Sequence, residues 1–473
     1  MSAYRLWLSP LAALLLAPVL PASAKDAPAS EDAPLVADAS DSAPGVLLPE
    51  ALPEVDEEES DLIDVEPVED TIPSGYTPEA AATPSPFRIA GYLDVGFVKA
   101  QGSGSSFHPD DTRVPADYGA DAFAPAVNSR GEVASLDAGG RFVNGFLPRS
   151  MDVGGRASFM LNTASVDLLY QPEPVPVMVF ARAQLLPRFE ERSGGTRLVL
   201  EQAFGRVTPF KEHELTVSLG KFDSVFGIEY LETESPLRTG ITPSLMARYT
   251  TGRGLGLKVF YRRQLPALDS AVSLNTSVTN AGNRVESLQT SDVSFTGTPT
   301  LSARLGYELQ LLRLQVKLGA SGQVGARNDQ DDGGVQQTTL GADARLTAGW
   351  LSLAGEYVRS RDGAGTGPGK HTGAGEYFYA SGFKVDGFYG TLALAVPVDG
   401  EALRTATLYG RYDRRAAGFD GFGDILTSRA TVGARLDLWT VLAIKAEYLF
   451  NRENAGAPRV DNDVFTTSAV YVF

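Results

Sequence analysis

From Arg88 to the last residue, Phe473, apolar and polar side chains alternate along the chain. RIAGYLDVGFVKA places Ile89, Leu93, Val95 and Phe97 on one side, and LRLQVKLGA sets Leu312, Leu314, Val316 and Leu318 against Arg313, Gln315 and Lys317. TVLAIKAEYLF repeats the pattern, with Leu442, Ile444, Ala446, Tyr448 and Phe450 opposite Ala443, Lys445 and Glu447. A period of two sends successive side chains to opposite faces of a strand. Many of these segments run to roughly 9–12 residues, longer than the five or six usual in soluble sheets. No long helical period interrupts them.

The alternation predicts an all-β fold, a closed antiparallel transmembrane barrel of about 16 strands, within a range of 14–18. The second (156–170), fourth (198–208) and twelfth (375–397) strands hold their phase least well, and the sixth is expected over 246–262. Tight reversals at 172–176, 209–212, 264–269, 310–311 and Trp439 are separated by long polar stretches, among them 100–155 and 222–245. Short turns at one end and long loops at the other are the arrangement of an outer-membrane barrel. Closure pairs every backbone polar group in lipid and leaves no edge strand exposed.

An even strand count returns the chain to its starting side, so both ends of the barrel are expected on the periplasmic, short-turn side. VFTTSAVYVF is then the closing strand, with Phe465, Ala469, Tyr471 and Phe473 towards lipid and Ser468, Val470 and Val472 inward. Its ending resembles the terminal signature by which outer-membrane barrels are recognised for assembly, carried by Tyr471 and Phe473. The resemblance implies barrel-assembly machinery and outer-membrane lipid as partners, and the outer membrane of a Gram-negative bacterium as the location.

The residues before the barrel differ in kind. Residues 1–24 combine Arg5, the apolar LWLSPLAALLLAPVL and a PASA ending at Ala24. An apolar run of about 15 residues is short of the roughly 20 that span a bilayer, so the segment reads as an export signal. Residues 25–87 form an acidic, proline-rich tail, expected to be disordered and periplasmic. Between Lys25 and Ala80 it holds 17 Asp or Glu against one Lys, with no period that could bury its apolar residues. Nearly all of the formal net charge of -17 resides there. The barrel, 88–473, is almost neutral, and no nucleic-acid partner is implied.

The chain has no cysteine, which excludes disulfides, thiolate metal sites and thiol nucleophiles. Its 3 histidines, His108, His213 and His371, fall in expected loops or beside a turn, and none has the serine and orienting group of a hydrolase. No enzyme activity, cofactor or resident metal is therefore expected. Asp329, Asp331 and Asp332 read as a solvated charge run before a loop calcium site.

The polar faces carry the candidate chemistry. Alternation places Arg182, Lys258, Arg262, Arg304, Arg313, Lys317, Arg345, Arg411, Arg435 and Lys445 inward, with Glu308, Asp343, Glu356, Asp413, Asp437 and Glu447. A water-filled lumen tolerates such charge, and a basic bias favours anions. Arg304 with Glu308 and Lys445 with Glu447 are candidate wall pairs.

One stretch is irregular: LGKFDSVFGIEYLETESPLRTG, from Leu219 to Gly240. With Gly220, Lys221, Phe222, Phe226 and Gly227, and with YGRYDRR and VLAIKAEYLFNRE further on, the chain resembles β-barrel porins related to the phosphate-selective porins. Val225 stands where proline is frequent in that family, and the acidic tail and the length of 100–155 also depart from it. No lysine ladder or arginine cluster supports phosphate specificity. The resemblance implies a segment folded into the pore, with Phe222, Phe226 and Glu229 near the constriction; Lys221, Arg304, Arg313, Lys317, Arg345, Arg411 and Arg435 would then act as electrostatic wall. The expected function is passive diffusion of small hydrophilic solutes with a mild anion preference. A homotrimer is compatible with this reading, although no residue specifies one. The alternative is an adhesin or structural barrel acting through its long loops.

Overall fold

The computed structural model describes residues 86–100, 157–172, 174–186, 197–210, 214–223, 225–280, 299–326, 336–363, 383–419, 425–453 and 463–473. The export signal, nearly all of the acidic tail, the three histidines and the Asp329–Asp332 run lie outside them.

Sixteen strands form one closed, wholly antiparallel barrel in which each strand pairs with its neighbours in sequence and β1 pairs with β16. They are β1 (Phe87–Ala100), β2 (Ala157–Tyr170), β3 (Val177–Leu186), β4 (Arg197–Phe210), β5 (Glu214–Asp223), β6 (Arg253–Leu265), β7 (Ser270–Thr279) and β8 (Thr300–Leu311). There follow β9 (Leu314–Ala326), β10 (Gln336–Ala348), β11 (Leu351–Asp362), β12 (Phe383–Pro397), β13 (Leu403–Phe419), β14 (Ile425–Leu438), β15 (Leu442–Glu453) and β16 (Val464–Val472).

The two faces are inverted relative to a soluble sheet. On β7, Leu274 and Val278 point outward and are exposed, while Ser273, Asn275 and Ser277 are buried inside. On β13, Leu408 and Tyr412 face out, and Tyr409, Arg411, Asp413 and Arg415 face in. An apolar shell around a polar interior has no advantage in water, where burying apolar area is what drives folding.

The weak phase of β2 and β4 has a local cause. In β2, Asp94 faces Thr163 but Val95 faces Leu161, so Asn162 is an extra residue. In β4, Arg182 faces Gln202 and Ala183 faces Leu200, which leaves Glu201 extra. Each β-bulge breaks the alternation and turns two consecutive polar side chains inward: Asn162 and Thr163, then Glu201 and Gln202.

Several boundaries differ from expectation: residues 375–382 of the expected twelfth strand lie outside the described residues, and the thirteenth runs on to Phe419. The sixth strand begins at Arg253 rather than 246, because Leu245, Met246 and Tyr249 are buried within the preceding segment, where Ala247–Thr250 form one α-helical turn. The β8–β9 reversal sits at Leu312 and Arg313, two residues later than expected, since β8 pairs with β9 through Leu311 and Leu314.

Candidate functional site

β5 and β6 are hydrogen-bonded as far as Asp223 and Arg253, so the chain between them leaves and re-enters the wall at one place. That segment runs along the inside of the barrel. Phe226 seats in a notch at Gly341 of β10, where a Cβ would lie 2.7 Å from its ring, and Met246 seats likewise at Gly387 of β12. Gly227 N–H donates to Ser321 Oγ at 3.0 Å and Ile228 N–H to Glu356 at 3.4 Å. A 3₁₀ turn over Glu229–Glu232 follows, and Glu232 pairs with Arg345 of β10.

Glu234 and Ser235 then reach the β1–β3 wall. Glu234 accepts from Gln184 Nε2 at 2.8 Å and from the Tyr92 hydroxyl, and it pairs with Arg182 at 3.1 Å and Arg253 at 3.3 Å. Arg182, wholly inaccessible, also holds Asp167 at 2.6 Å. Arg253 also meets Glu201 at 2.6 Å and Asp223 at 2.7 Å. The Ser235 hydroxyl donates to Asp94. Buried charges persist only when paired and hydrogen-bonded. The Glu201 bulge supplies one of the required carboxylates.

From Ser235 to Leu245 the wall grips backbone. Lys445 Nζ donates to the carbonyls of Ser235, Arg238 and Gly240 at 2.6, 2.5 and 3.0 Å. Arg435 donates to those of Pro236 and Arg238, both at 3.0 Å. Glu447 accepts from the N–H groups of Ile241 (2.8 Å) and Thr242 (3.0 Å), and from the Tyr409 hydroxyl at 2.6 Å. Arg411 donates to the Thr242 and Pro243 carbonyls at 2.7 and 3.1 Å, Arg429 to that of Pro243, and Asp413 accepts from Leu245 N–H at 3.1 Å. Arg415 donates to the Tyr249 hydroxyl at 2.8 Å. Glu229 belongs to the segment rather than to a strand. Burial pushes its carboxyl above the ordinary range, against the Ser244 hydroxyl and N–H, which donate to it and lower it.

Beneath the segment, towards the short turns, lies a cavity of ≈ 320 Å³ against β10–β14. Its charged lining includes Glu229, Glu232, Arg238, Arg345, Arg435 and Asp437. These groups are largely paired: Glu232 with Arg345, and Asp437 with Arg435 at 2.7 Å.

Of the residues singled out from the sequence, Glu229, Arg345, Arg411, Arg435 and Asp437 border this cavity. Phe222 packs instead with Met178, Phe180 and Phe204 on the inner wall. Phe226 fills the Gly341 notch. Arg304 binds Asp343 at 2.7 Å rather than Glu308. Glu308 instead takes Arg262 at 2.9 Å and Lys317 at 3.5 Å. Lys445 and Glu447 likewise bind the segment rather than each other.

Two placements are corrected. Lys221 shares the outward face with Leu219 and pairs across the sheet with exposed Leu255, its Nζ donating to the Leu200 carbonyl at 2.9 Å. Arg313 lies exposed in the β8–β9 turn, away from the strand wall. Sequence reasoning missed Glu232, Glu234, Arg238, Arg253 and Arg429. The first three stand in an aperiodic stretch, and the acidic pair in EYLETES was the available signal.

No family model matches the sequence, and no curated protein matches it either, so the resemblance to the phosphate-selective porins has no specific counterpart. Among solved structures, OmpT of Vibrio cholerae aligns at 11% identity and a TM-score of 0.46, covering 82% of this chain and 97% of that one. The outer membrane channel DcaP of Acinetobacter baumannii aligns at 10% identity and 0.45, over 82% and 97%. An anion-selective porin from Comamonas acidovorans gives 10% and 0.44, over 82% and 99%. Neither identity nor superposition is high enough to carry a function from them to this chain.

Proposed function

We propose that this chain is an outer-membrane channel for passive diffusion of small hydrophilic solutes, with at most a mild anion preference. The observation that carries the reading is the combination of an apolar exterior, a polar interior and a segment gripped inside it that leaves a cavity with charged residues in its lining along β10–β14. Strands of 9 to 17 residues meet the roughly 9–11 needed to cross a bilayer at a tilt. Selectivity is weak in this reading because the wall charges are already engaged. Arg304, Arg411, Arg435 and Lys445 hold carboxylates or carbonyls, so little net field remains to sort ions.

The same reading places both barrel ends in the periplasm, with Tyr471 and Phe473 presented to the assembly machinery. The test is single-channel conductance of the purified protein, with a reversal potential measured across a salt gradient. Conductance with a small anion preference is the expected result. Absence of any conductance would transfer the function to the long loops, as in an adhesin. A strong cation preference would contradict the role given to Arg345 and Arg435.

A further inference from the structure

The floor of the cavity is built from small inward residues of β11, β12 and β13, and the register pairs them in one way. Ala354 is directly opposite Thr391 and Ser352 opposite Ala393, while Ala395 is opposite Thr407. Each pair joins one methyl to one hydroxyl. Such neighbours stand about 4.5–5.5 Å apart, so apolar and hydrogen-bonding spots alternate over the floor at the spacing of atoms across a small ring. The hydroxyls of Ser352, Thr391 and Thr407 have no partner among the described residues.

Charge flanks this floor on two sides without tipping its balance. Arg345 lies directly opposite Ala354, and Arg435 directly opposite Thr407. Each is matched by a carboxylate that uses only one of its oxygens: Glu232 Oε1 meets Arg345, and Asp437 Oδ1 takes Arg435 at 2.7 and 2.8 Å. The second oxygens of Glu232 and Asp437 remain open as acceptors, and Nε and Nη1 of Arg345 as donors. Tyr409, opposite Ala393, borders the same floor. Its hydroxyl donates to Glu447 at 2.6 Å and Gly433 backs its ring, so the ring is a fixed plate.

We propose that this cavity binds an uncharged sugar of one or two rings; the proposal rests on the channel reading above and names its solute class. An anion at the site meets the open carboxylate oxygens, and a cation meets Arg345 and Arg238. A sugar avoids both costs. Its hydroxyls donate and accept, as the threonine hydroxyls, the carboxylates and Arg345 require, while its C–H faces lie on alanine methyls and the Tyr409 ring. A zwitterionic amino acid would satisfy Arg345 and Glu232 but leave the hydroxyl floor unused. The volume of ≈ 320 Å³ falls at the lower end of small-molecule sites. Binding in a conducting path has to be weak enough to release the solute.

The test records ion current through the full-length protein in planar bilayers while glucose, gluconate, glucosamine or glutamine is added. These probes are similar in size and differ in charge. Saturation-transfer NMR with the detergent-solubilised protein reads binding of the same four without conduction. Glucose should lower the current saturably with a half-effect near about 1–10 mM, and the other three should need about fivefold more. T391V/T407V, which removes two hydroxyls at constant shape, should raise the glucose half-effect about tenfold, and T391S/T407S should keep it. No saturable glucose signal by NMR, an equal or stronger effect of any charged probe, or an unchanged half-effect in T391V/T407V overturns the proposal. The wild-type comparison decides even where a variant does not fold. The channel reading fails separately, when the protein gives no current in salt alone, and the NMR titration then still decides whether the sugar binds.

Discussion

The ring of Phe473 lies over Gly91 of β1, where a Cβ would come within 2.6 Å of its Cζ. The two residues also exchange backbone hydrogen bonds of 2.9 and 3.0 Å. The last residue of the chain is thus a rung of the closing ladder, and its ring covers bare backbone on the neighbouring strand, as aromatic residues do for strand glycines. Gly91→Ala should lower barrel stability by about 1–3 kcal/mol through overpacking, because the Ser165 carbonyl on the other side is backbone and has little room to retreat. The urea midpoint of the folded electrophoretic form in liposomes measures it. An unchanged midpoint would show that closure does not depend on this contact.

Phe226 and Gly341 should be energetically coupled. Gly341→Ala fills the notch and displaces the ring, whereas Phe226→Leu in the same background restores room. A double-mutant cycle on unfolding should give a coupling of about 0.5–3 kcal/mol. Additive effects would mean that the ring is not held by the notch.

Glu447 holds the segment through two backbone N–H groups. Glu447→Ala leaves those donors and the Tyr409 hydroxyl without their acceptor, at a cost of about 1–3 kcal/mol for a buried donor left unsatisfied. Part of that cost should be read in the segment itself, as larger, noisier single-channel currents and faster hydrogen exchange at 241–242. A trace as quiet as wild type would place the hold elsewhere.

The Glu232–Arg345 pair gives a test of sign. Both side chains are about a third exposed and border the cavity, so each substitution acts on its charge. Glu232→Gln unmasks the guanidinium and should move the reversal potential towards anions; Arg345→Gln should move it towards cations. Both shifts should shrink in concentrated salt, where the Debye length falls to about 3 Å at 1 M. Shifts of the same sign would exclude the pair from the conduction path.

The strands were legible because a wall that is apolar on its outer face and polar on its inner face must alternate along every strand. Legibility failed where one residue was added, at Asn162 and Glu201, since a bulge reverses the phase of everything beyond it. Lys221 is instructive in the opposite sense: the alternation of β5 already sets it on the outward face with Leu219, although the sequence reading counts it with the inward wall charges. The route of 225–252 could not be read, because between Ser235 and Leu245 the segment is held mostly by its own backbone groups, and any residue but proline offers the same carbonyl and N–H. Glu234 shows the same limit from the side-chain direction. Its partners Arg182 and Arg253 lie 52 and 19 positions away, a separation no local pattern records.

That backbone grip bears on how such a protein changes over generations. Lys445, Arg411, Arg429, Arg435, Glu447 and Asp413 belong to the strands, and between Ser235 and Leu245 they hold mainly carbonyl and N–H groups. The path of this stretch is therefore written into the barrel, while the identity of its own side chains is left comparatively open. Thr239, which borders the cavity, can be exchanged as a filter is exchanged in a fixed frame. In the channel reading proposed above, a lineage under pressure to admit a different solute could change side chains of this stretch without disturbing the strands that hold it.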